Sequence, residues 1–558
     1  MRLLLLAMLA IPVTAQERSQ ARSMVISDLG IVATSQTLAS QAGAQVLARG
    51  GTAVDAAIAA NAVLGVVEPM SCGLGGDLFG IYWDAQTGQL TGINSSGWAS
   101  KGINIQFLQS LGMKSMPQSG IQSVTVPGCV EGWSKLHRRF GKLPWSDLFQ
   151  PAIYYAEHGF PVTEIIQDAW RHNLAKLAGD ENARRVFLRN DAPPGVGEVF
   201  RNPQLARALK VVAGQGPAAF YTGPIAKAIL KTSDRLGGKL AAPDLSEFQA
   251  DWVQPVSVNY RGWRVYELPP NTQGIAALEM LNLFAQFPMS DMGARGADEL
   301  HLQIEAQKLA YADMHRYVAD PKFAKVPVDG LLSLDYTRER AKRIDPAKAN
   351  CEVPPGKPLE IGRDTIYLSA VDRQGNIISL IQSLYASFGS GVVVDDYGFA
   401  LHNRGGLFTL DADHPNALAP RKRPLHTLIP AFMQKDNLHI GFGIMGGFNQ
   451  AQAHAQFVSN VIDHQMNIQL ALETPRFSKR TFGGCDVSIE GRVAPDVLKE
   501  LAARGHQLHV VGAFAWDAVG GGQAVMYDSA AKIKYGASDA RKDGAAVPEP
   551  HPYFSTAQ

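Results

Sequence analysis

Thr365 stands in the run Gly362-Arg363-Asp364-Thr365-Ile366-Tyr367-Leu368-Ser369-Ala370-Val371-Asp372, just behind a Pro-rich joint at Pro354 to Pro358. A threonine hydroxyl is a poor nucleophile unless a base sits beside it. Cutting the chain just before the threonine supplies that base, because the freed α-amine can take the hydroxyl proton. The pKa of an α-amine is about 8, closer to neutral than that of an unperturbed lysine. Taken alone, Thr365 would read as an ordinary strand residue; what surrounds it makes the case.

The elements that must position Thr365 are two strand-like runs, Thr365 to Val371 and Asn376 to Leu384. Between them, Arg373-Gln374-Gly375 is a short loop with a glycine for positive φ. The pair reads as a β-hairpin. With Gln374 at its midpoint, Val371 faces Ile377, Ser369 faces Ser379, and Thr365 faces Ser383. A bulge at Gly375 would shift this register by one. The hairpin thus predicts a second hydroxyl beside Thr365, with Cβ atoms about 5 Å apart. The first strand is apolar on both faces, as in a sheet covered on each side.

Upstream, Leu38 to Leu47 reads as an amphipathic helix stopped by Gly50-Gly51. Thr52-Ala53-Val54-Asp55 resembles a capping box, and the Ala-rich helix it opens, to about Val66, is apolar all round and should be buried. The loop Gly73-Leu74-Gly75-Gly76-Asp77 follows a helix and precedes a strand near Phe79 to Trp83. That is the reverse of the nucleotide-binding order, so it reads as tight backbone packing. Residues 130–350 are mostly helical in pattern, with a loop from Asp191 to Gly197. Ala297 through Tyr311 reads as a long helix with one charged face.

The 558 residues carry 52 Lys+Arg against 51 Asp+Glu. That balance argues against a nucleic-acid or acidic-membrane partner. Residues 1–15 read as a signal peptide, with Arg2, an apolar run from Leu3 to Val13, and a Val13-Thr14-Ala15 cleavage site. No later stretch reaches about 18 uninterrupted apolar residues, so the expected product is exported, periplasmic or secreted, with no membrane span. Cys72, Cys129, Cys351 and Cys485 allow three disulfide pairings or four thiols. The fourteen histidines show no ligand spacing, so no metal and no cofactor are expected.

The chain resembles the γ-glutamyltransferase (γ-glutamyltranspeptidase) family of N-terminal-nucleophile hydrolases. The resemblance runs in order through Ala39-Ser40-Gln41-Ala42-Gly43, Gly50 to Ala57, Gly73 to Asp77, Val126-Pro127-Gly128, Asp364-Thr365, Phe388-Gly389-Ser390-Gly391, Met445-Gly446-Gly447, Glu473 to Phe477 and Gly536 to Asp539. It implies an α+β fold, the four-layer αββα sandwich. It implies one precursor that cleaves itself at Asp364–Thr365. A large subunit, residues 16–364, and a small one, residues 365–558, would then associate in one fold. Thr365 resembles the nucleophile, and Ser383 stands where a hydroxyl bonds to it. Gly446 and Gly447 stand where backbone N–H groups form an oxyanion hole. His426 and Thr427 fall where a Ser-Ser pair helps bind the substrate carboxylate. Asn403, Arg404, Tyr385 and Ser387 complete the expected substrate-binding set.

Three departures bear on substrate. Where γ-glutamyl enzymes pair an Arg with the α-carboxylate, the best-aligned position is Ser95. The stretch Leu401-His402-Asn403-Arg404-Gly405-Gly406-Leu407-Phe408 has no carboxylate for an α-ammonium and carries a cation instead. An Asn near the site is replaced by Tyr385. Arg404 suits an acyl group that ends in a carboxylate and lacks an amine, as in the branch with oxamate amidohydrolase and glutaryl acylase-like members. The expected function is cleavage or transfer of a small carboxylated acyl group from an amide through an acyl-Thr365 ester. The alternatives are a true γ-glutamyltransferase or glutathione hydrolase, and an unprocessed secreted binding protein.

Overall fold

In the computed structural model, which describes residues 20–354, 366–479 and 481–553, the strands Ile366–Val371 and Ile377–Ser383 form the expected hairpin. Val371 faces Ile377 and Ser369 faces Ser379, so the register is unshifted. Gly375 takes φ +91°, and the Asp372 carboxylate closes the turn by accepting from Asn376 N at 3.0 Å. The same carboxylate accepts from Ala53 N at 3.1 Å, which fastens the turn to a helix N-terminus.

The hairpin lies in the middle of an antiparallel sheet. Its order is Ala545–Pro548, Ile31–Thr34, Ile366–Val371, Ile377–Ser383, Asp77–Trp83, Leu90–Ser95 and Asp251–Val253. A second antiparallel sheet runs Val25–Ser27, Ile533–Ser538, Gly522–Asp528, Leu438–Ile444, Ala431–Lys435, Trp263–Glu267 and Val256–Tyr260. Strands from before and after position 365 are thus interleaved in both sheets.

Strand alternation sorts the side chains into layers. Phe79, Ile81, Tyr367, Val371 and Ile381 meet Phe432, Val525 and Tyr527 of the other sheet. Leu368, Ala370, Ile378 and Leu380 point outward into helices Thr37–Ala48 and Ala53–Val67. Ala431, Met433, Ile440 and Phe442 point outward into helices Gly274–Phe284 and Asn449–Ile462. The result is helix, sheet, sheet, helix, the αββα sandwich of an α+β fold.

The Ala-rich helix begins as its sequence suggests. Thr52 Oγ1 accepts from Asp55 N, and Asp55 Oδ2 accepts from Thr52 N. Every residue from Ala53 to Val67 is buried.

The helix Ala297–Tyr317 departs from expectation. It has no solvated charged face and is buried from Glu299 through His315. Its charges find partners inside the protein: Lys308 with Glu305 at 2.6 Å, Asp313 with Arg340 at 2.9 Å, Glu299 with Arg295 at 3.6 Å and with the His464 ring at 2.8 Å. On one side it is covered by Val487, Ile489 and Leu501 of a small accessory layer, built on the sheet of Phe477–Ser478, Asp486–Glu490 and Gln507–Val511. Beside it, Cys351 and Cys485 form a disulfide, while Cys72 and Cys129 are buried free thiols. Burial pushes both thiols well above the usual range, so they are inert. Among the described residues no helix is long and apolar enough to cross a membrane.

Thr52→Ala removes one member of the capping box and the hydroxyl that donates to Phe140 O at 2.9 Å. The expected loss is about 1–2 kcal/mol of stability, read as a lower denaturant midpoint with an unchanged slope.

Candidate active site

The register of the first sheet continues one strand further, and Ser383 lies directly opposite Asp77. Both have the parity of Ile381 and Phe79, so they sit on the inter-sheet face, at the end of the sandwich. Asp364 and Thr365 lie outside the described residues; the strand that follows them starts at Ile366, opposite Gln382. Ser383 is buried, and its Oγ accepts from Tyr385 N at 2.7 Å.

Tyr385 has φ +78°, the left-handed region that bulky residues rarely enter. Its ring lies under the guanidinium of Arg404, 4.6 Å from ring centroid to Cζ. Asn403 ties the two segments together. Its Oδ1 accepts from Ala386 N at 3.0 Å and its Nδ2 donates to Gln118 O at 2.7 Å. Asn403 therefore holds Arg404 in place, with both ends of its amide engaged.

Arg404 is wholly buried. Its Nη1 donates to Thr427 Oγ1 at 2.7 Å. Its Nε and Nη2 have no hydrogen-bond partner among the described residues. Burial pushes its pKa down to about 10, and the nearby Asp77 carboxylate works against that shift. It remains a cation at neutral pH. A buried cation with idle donors is costly unless something accepts from them.

His426 is in the site but turned away from a ligand. Its Nε2 donates to Asp77 Oδ2 at 3.0 Å, and its Nδ1 accepts from Leu428 N at 3.2 Å. Both ring nitrogens are spent, so His426 positions Asp77 and keeps no ring atom for a ligand. Burial and the charge of Arg404 push the His426 pKa down to about 3, which keeps the ring neutral. Asp77 Oδ1 accepts from Gly97 N at 2.9 Å. Burial alone would raise the Asp77 carboxyl; His402, His426 and Arg404 hold it below the usual range. The cluster is thus one anion and one cation, with two imidazoles packed between them.

The glycine loop makes these contacts possible. A Cβ on Gly75 would lie 2.1 Å from Ala400 O, and one on Gly76 would lie 2.6 Å from Ser383 O. Backbone packs on backbone here, as the loop's sequence suggests. Its last residue, Asp77, belongs to the site, which the packing interpretation missed.

Gly446 and Gly447 follow the strand Leu438–Ile444 with φ +127° and +62°. They sit where the helix Asn449–Ile462 begins, so the helix dipole favours negative charge there. Among the described residues neither backbone N–H donates a hydrogen bond. Gln273 Nε2 ties this turn to Thr427 by donating to Thr427 O at 2.6 Å and Gly447 O at 2.9 Å. Ser387 is half-buried, and its carbonyl accepts from Lys176 Nζ at 2.7 Å. Ser95 spends its hydroxyl on Gly128 O at 2.6 Å, so it does not replace the missing cation.

Elsewhere, His301, Glu305 and His506 place donor atoms within 4.8 Å of one another. The two rings bond each other at 2.8 Å and Glu305 takes the Lys308 ammonium. His301 Nδ1, His506 Nε2 and the Glu305 carboxylate are thus already engaged, so the group is a structural knot. Their neighbourhood arises from segments 200 residues apart, with no local spacing to announce it.

The family model described as Gamma-glutamyltranspeptidase matches residues 39–549. A glutathione hydrolase-like YwrD proenzyme of Bacillus subtilis (strain 168) is 36% identical over 531 residues, 94% of this chain and 99% of the relative. An oxamate amidohydrolase proenzyme of Klebsiella pneumoniae is 34% identical over 532 residues, with the same coverage of 94% and 99%. The crystal structure of a cephalosporin acylase from Bacillus halodurans aligns with a TM-score of 0.89 at 39% identity, covering 97% of this chain and 99% of that one.

The neutral His426 has a measurable signature. Its folded pKa of about 3 lies below the unfolded value of about 6.5. Between these values the unfolded chain binds a proton that the folded chain refuses. Its contribution to stability is therefore full above pH 6.5 and is lost as pH falls toward 3. His426→Gln keeps a donor for Asp77 but cannot titrate. The stability of wild type relative to this variant should fall by roughly 1–2 kcal/mol between pH 7 and pH 5, measured by urea unfolding. An unchanged difference would mean that His426 titrates normally.

Proposed function

The chain belongs to the gamma-glutamyltranspeptidase family and is an amide-cleaving, acyl-transferring enzyme; we propose that it processes itself at Asp364–Thr365 and acts on amides of a small acyl group ending in a carboxylate. Hydrolysis of that one peptide bond consumes a water and leaves a carboxyl on Asp364 and an α-amine on Thr365. With residues 1–15 removed separately as the signal peptide, the products are the pieces 16–364 and 365–558, which remain in one sandwich. The interleaving of strands from both pieces in each sheet supports this.

In the reaction, the Thr365 α-amine takes the hydroxyl proton as Oγ attacks the amide carbonyl. The N–H groups of Gly446 and Gly447 receive the oxyanion. The amine leaves with the proton, and water or a second amine then takes the acyl group from the Thr365 ester. Ser383 orients the nucleophile from the neighbouring strand.

The observation that carries the substrate reading is the idle pair of donors on buried Arg404, beside Thr427 Oγ1. A planar guanidinium edge matches a carboxylate. Among the described residues the only carboxylate in the cluster, Asp77, already serves His426 and Gly97, which argues against a partner for an α-ammonium. The second reading, a γ-glutamyl donor such as glutathione, draws on the likeness to a glutathione hydrolase-like relative. Export to the periplasm or beyond is supported by the pattern of residues 1–15 and by the disulfide, which suits an oxidising compartment.

Acyl amides that differ only at the α-amine separate the two readings. Glutaryl or oxamate-type amides should be turned over faster than a γ-glutamyl anilide; an equal or reversed rate would select the second reading. Arg404→Met should lower kcat/KM for carboxylated acyl groups by roughly 10- to 150-fold, as expected for a lost charge-assisted hydrogen bond. Thr365→Ala should abolish both processing and activity, whereas Ser383→Ala should keep a measurable fraction of each.

A further inference from the structure

The disulfide joins positions on opposite sides of the proposed cleavage point. Cys351 precedes Thr365, Cys485 follows it, and the two are 134 residues apart in sequence. Cys485 is the sole cysteine among residues 365–558. Resting on the self-processing reading above, we propose that Cys351–Cys485 is an inter-subunit bond, which keeps the mature enzyme a single covalent molecule after its peptide chain is cut.

The surroundings of the bond are those of a docked junction. Cys351 O accepts from Gly484 N at 3.2 Å, and Ala349 N donates to Arg504 O at 2.7 Å. Lys308 Nζ donates to Asn350 O at 3.0 Å and lies 3.6 Å from Cys485 Sγ. Each of these contacts except the one to Asn350 crosses from residues before 365 to residues after it. The helix Ala297–Tyr317 belongs to the same junction, through Leu300 and Ile304 against Val487 and Ile489. Forming the bond removes two electrons and two protons from the thiols; a disulfide-exchange oxidant of the exporting compartment accepts them.

The bond anchors the new C-terminal tail. Residues 352–364 span at most about 45 Å when extended, so the tail released at Asp364 cannot leave the molecule. It also makes subunit reassociation intramolecular, with an effective concentration fixed by the tether. Cys351 is exposed and Cys485 is buried, so a reductant reaches the bond from the Cys351 side.

The test uses the purified mature enzyme, unfolded in the presence of an alkylating agent so that Cys72 and Cys129 are capped as they become exposed and cannot exchange. On a denaturing gel with reductant, two fragments should appear, one beginning at Thr365. Without reductant, a single species should run near the 60.2 kDa of the full chain. Two fragments in both lanes would overturn the tether and leave self-processing standing. One species in both lanes would overturn self-processing itself. Cys485→Ser should be cleaved and active yet separate without reductant. After unfolding in urea without reductant, recovery of wild-type activity should not depend on protein concentration, whereas recovery of the variant should fall on dilution. Equal dilution dependence would also overturn the tether.

Discussion

The site depends on strand register. Antiparallel pairing lets only one residue of each strand stand at a given height, and alternation lets only every second one face the inter-sheet layer. Ser383 stands opposite Asp77 because Ile381 stands opposite Phe79, and Ser379 opposite Ile81. A slip of the strand Ile377–Ser383 by one residue would turn Ser383 into the helix layer and bring Gln382 inward beside Asp77. The apolar inner positions Phe79, Ile81, Ile377 and Ile381 forbid that slip. The core is therefore the ruler against which the polar end of the sandwich is measured.

The second constraint is electrostatic. A guanidinium and a carboxylate are both wholly buried at this end, without a direct bond between them. Asp77 is stabilised by an imidazole N–H and a backbone N–H, and Arg404 by a threonine hydroxyl and an aromatic face. Long-range attraction in a poorly polarisable interior supplies the rest. Such a pair is an expensive arrangement for stability alone. It makes sense where the cation faces an incoming anion and the anion keeps the cation charged until that happens. The left-handed Tyr385 and the two left-handed glycines Gly446 and Gly447 mark the same region as one where the backbone is bent to suit chemistry.

Much of this was legible in the sequence, and the limit is instructive. The hairpin register followed from one loop, since Arg373-Gln374-Gly375 fixes the pairing of everything that precedes and follows it. The capping box at Thr52 and the buried Ala-rich helix are equally local. Asp77 was hidden because its partner across the strand pair, Ser383, is 306 residues away, and no local pattern encodes that adjacency. The orientation of His426 depended on Asp77 and was hidden with it. The helix Ala297–Tyr317 looked solvated because its charges are regularly spaced; burial between two layers, with partners for Glu299, Glu305, Lys308 and Asp313, reverses that appearance. The disulfide pairing is a fact of the three-dimensional arrangement that four scattered cysteines do not determine.

The arrangement of edge strands carries a consequence for biosynthesis. The strand Val25–Ser27 pairs with Ile533–Ser538, and Ile31–Thr34 pairs with Ala545–Pro548. The two ends of the chain close both sheets. A ribosome adding roughly 5–20 residues per second must pass Ser538 before the first pairing and Pro548 before the second, and both are very long loop closures. The two pairings therefore stay unmade while the residues between them are added, and the half-built sheets carry open strand edges for that interval.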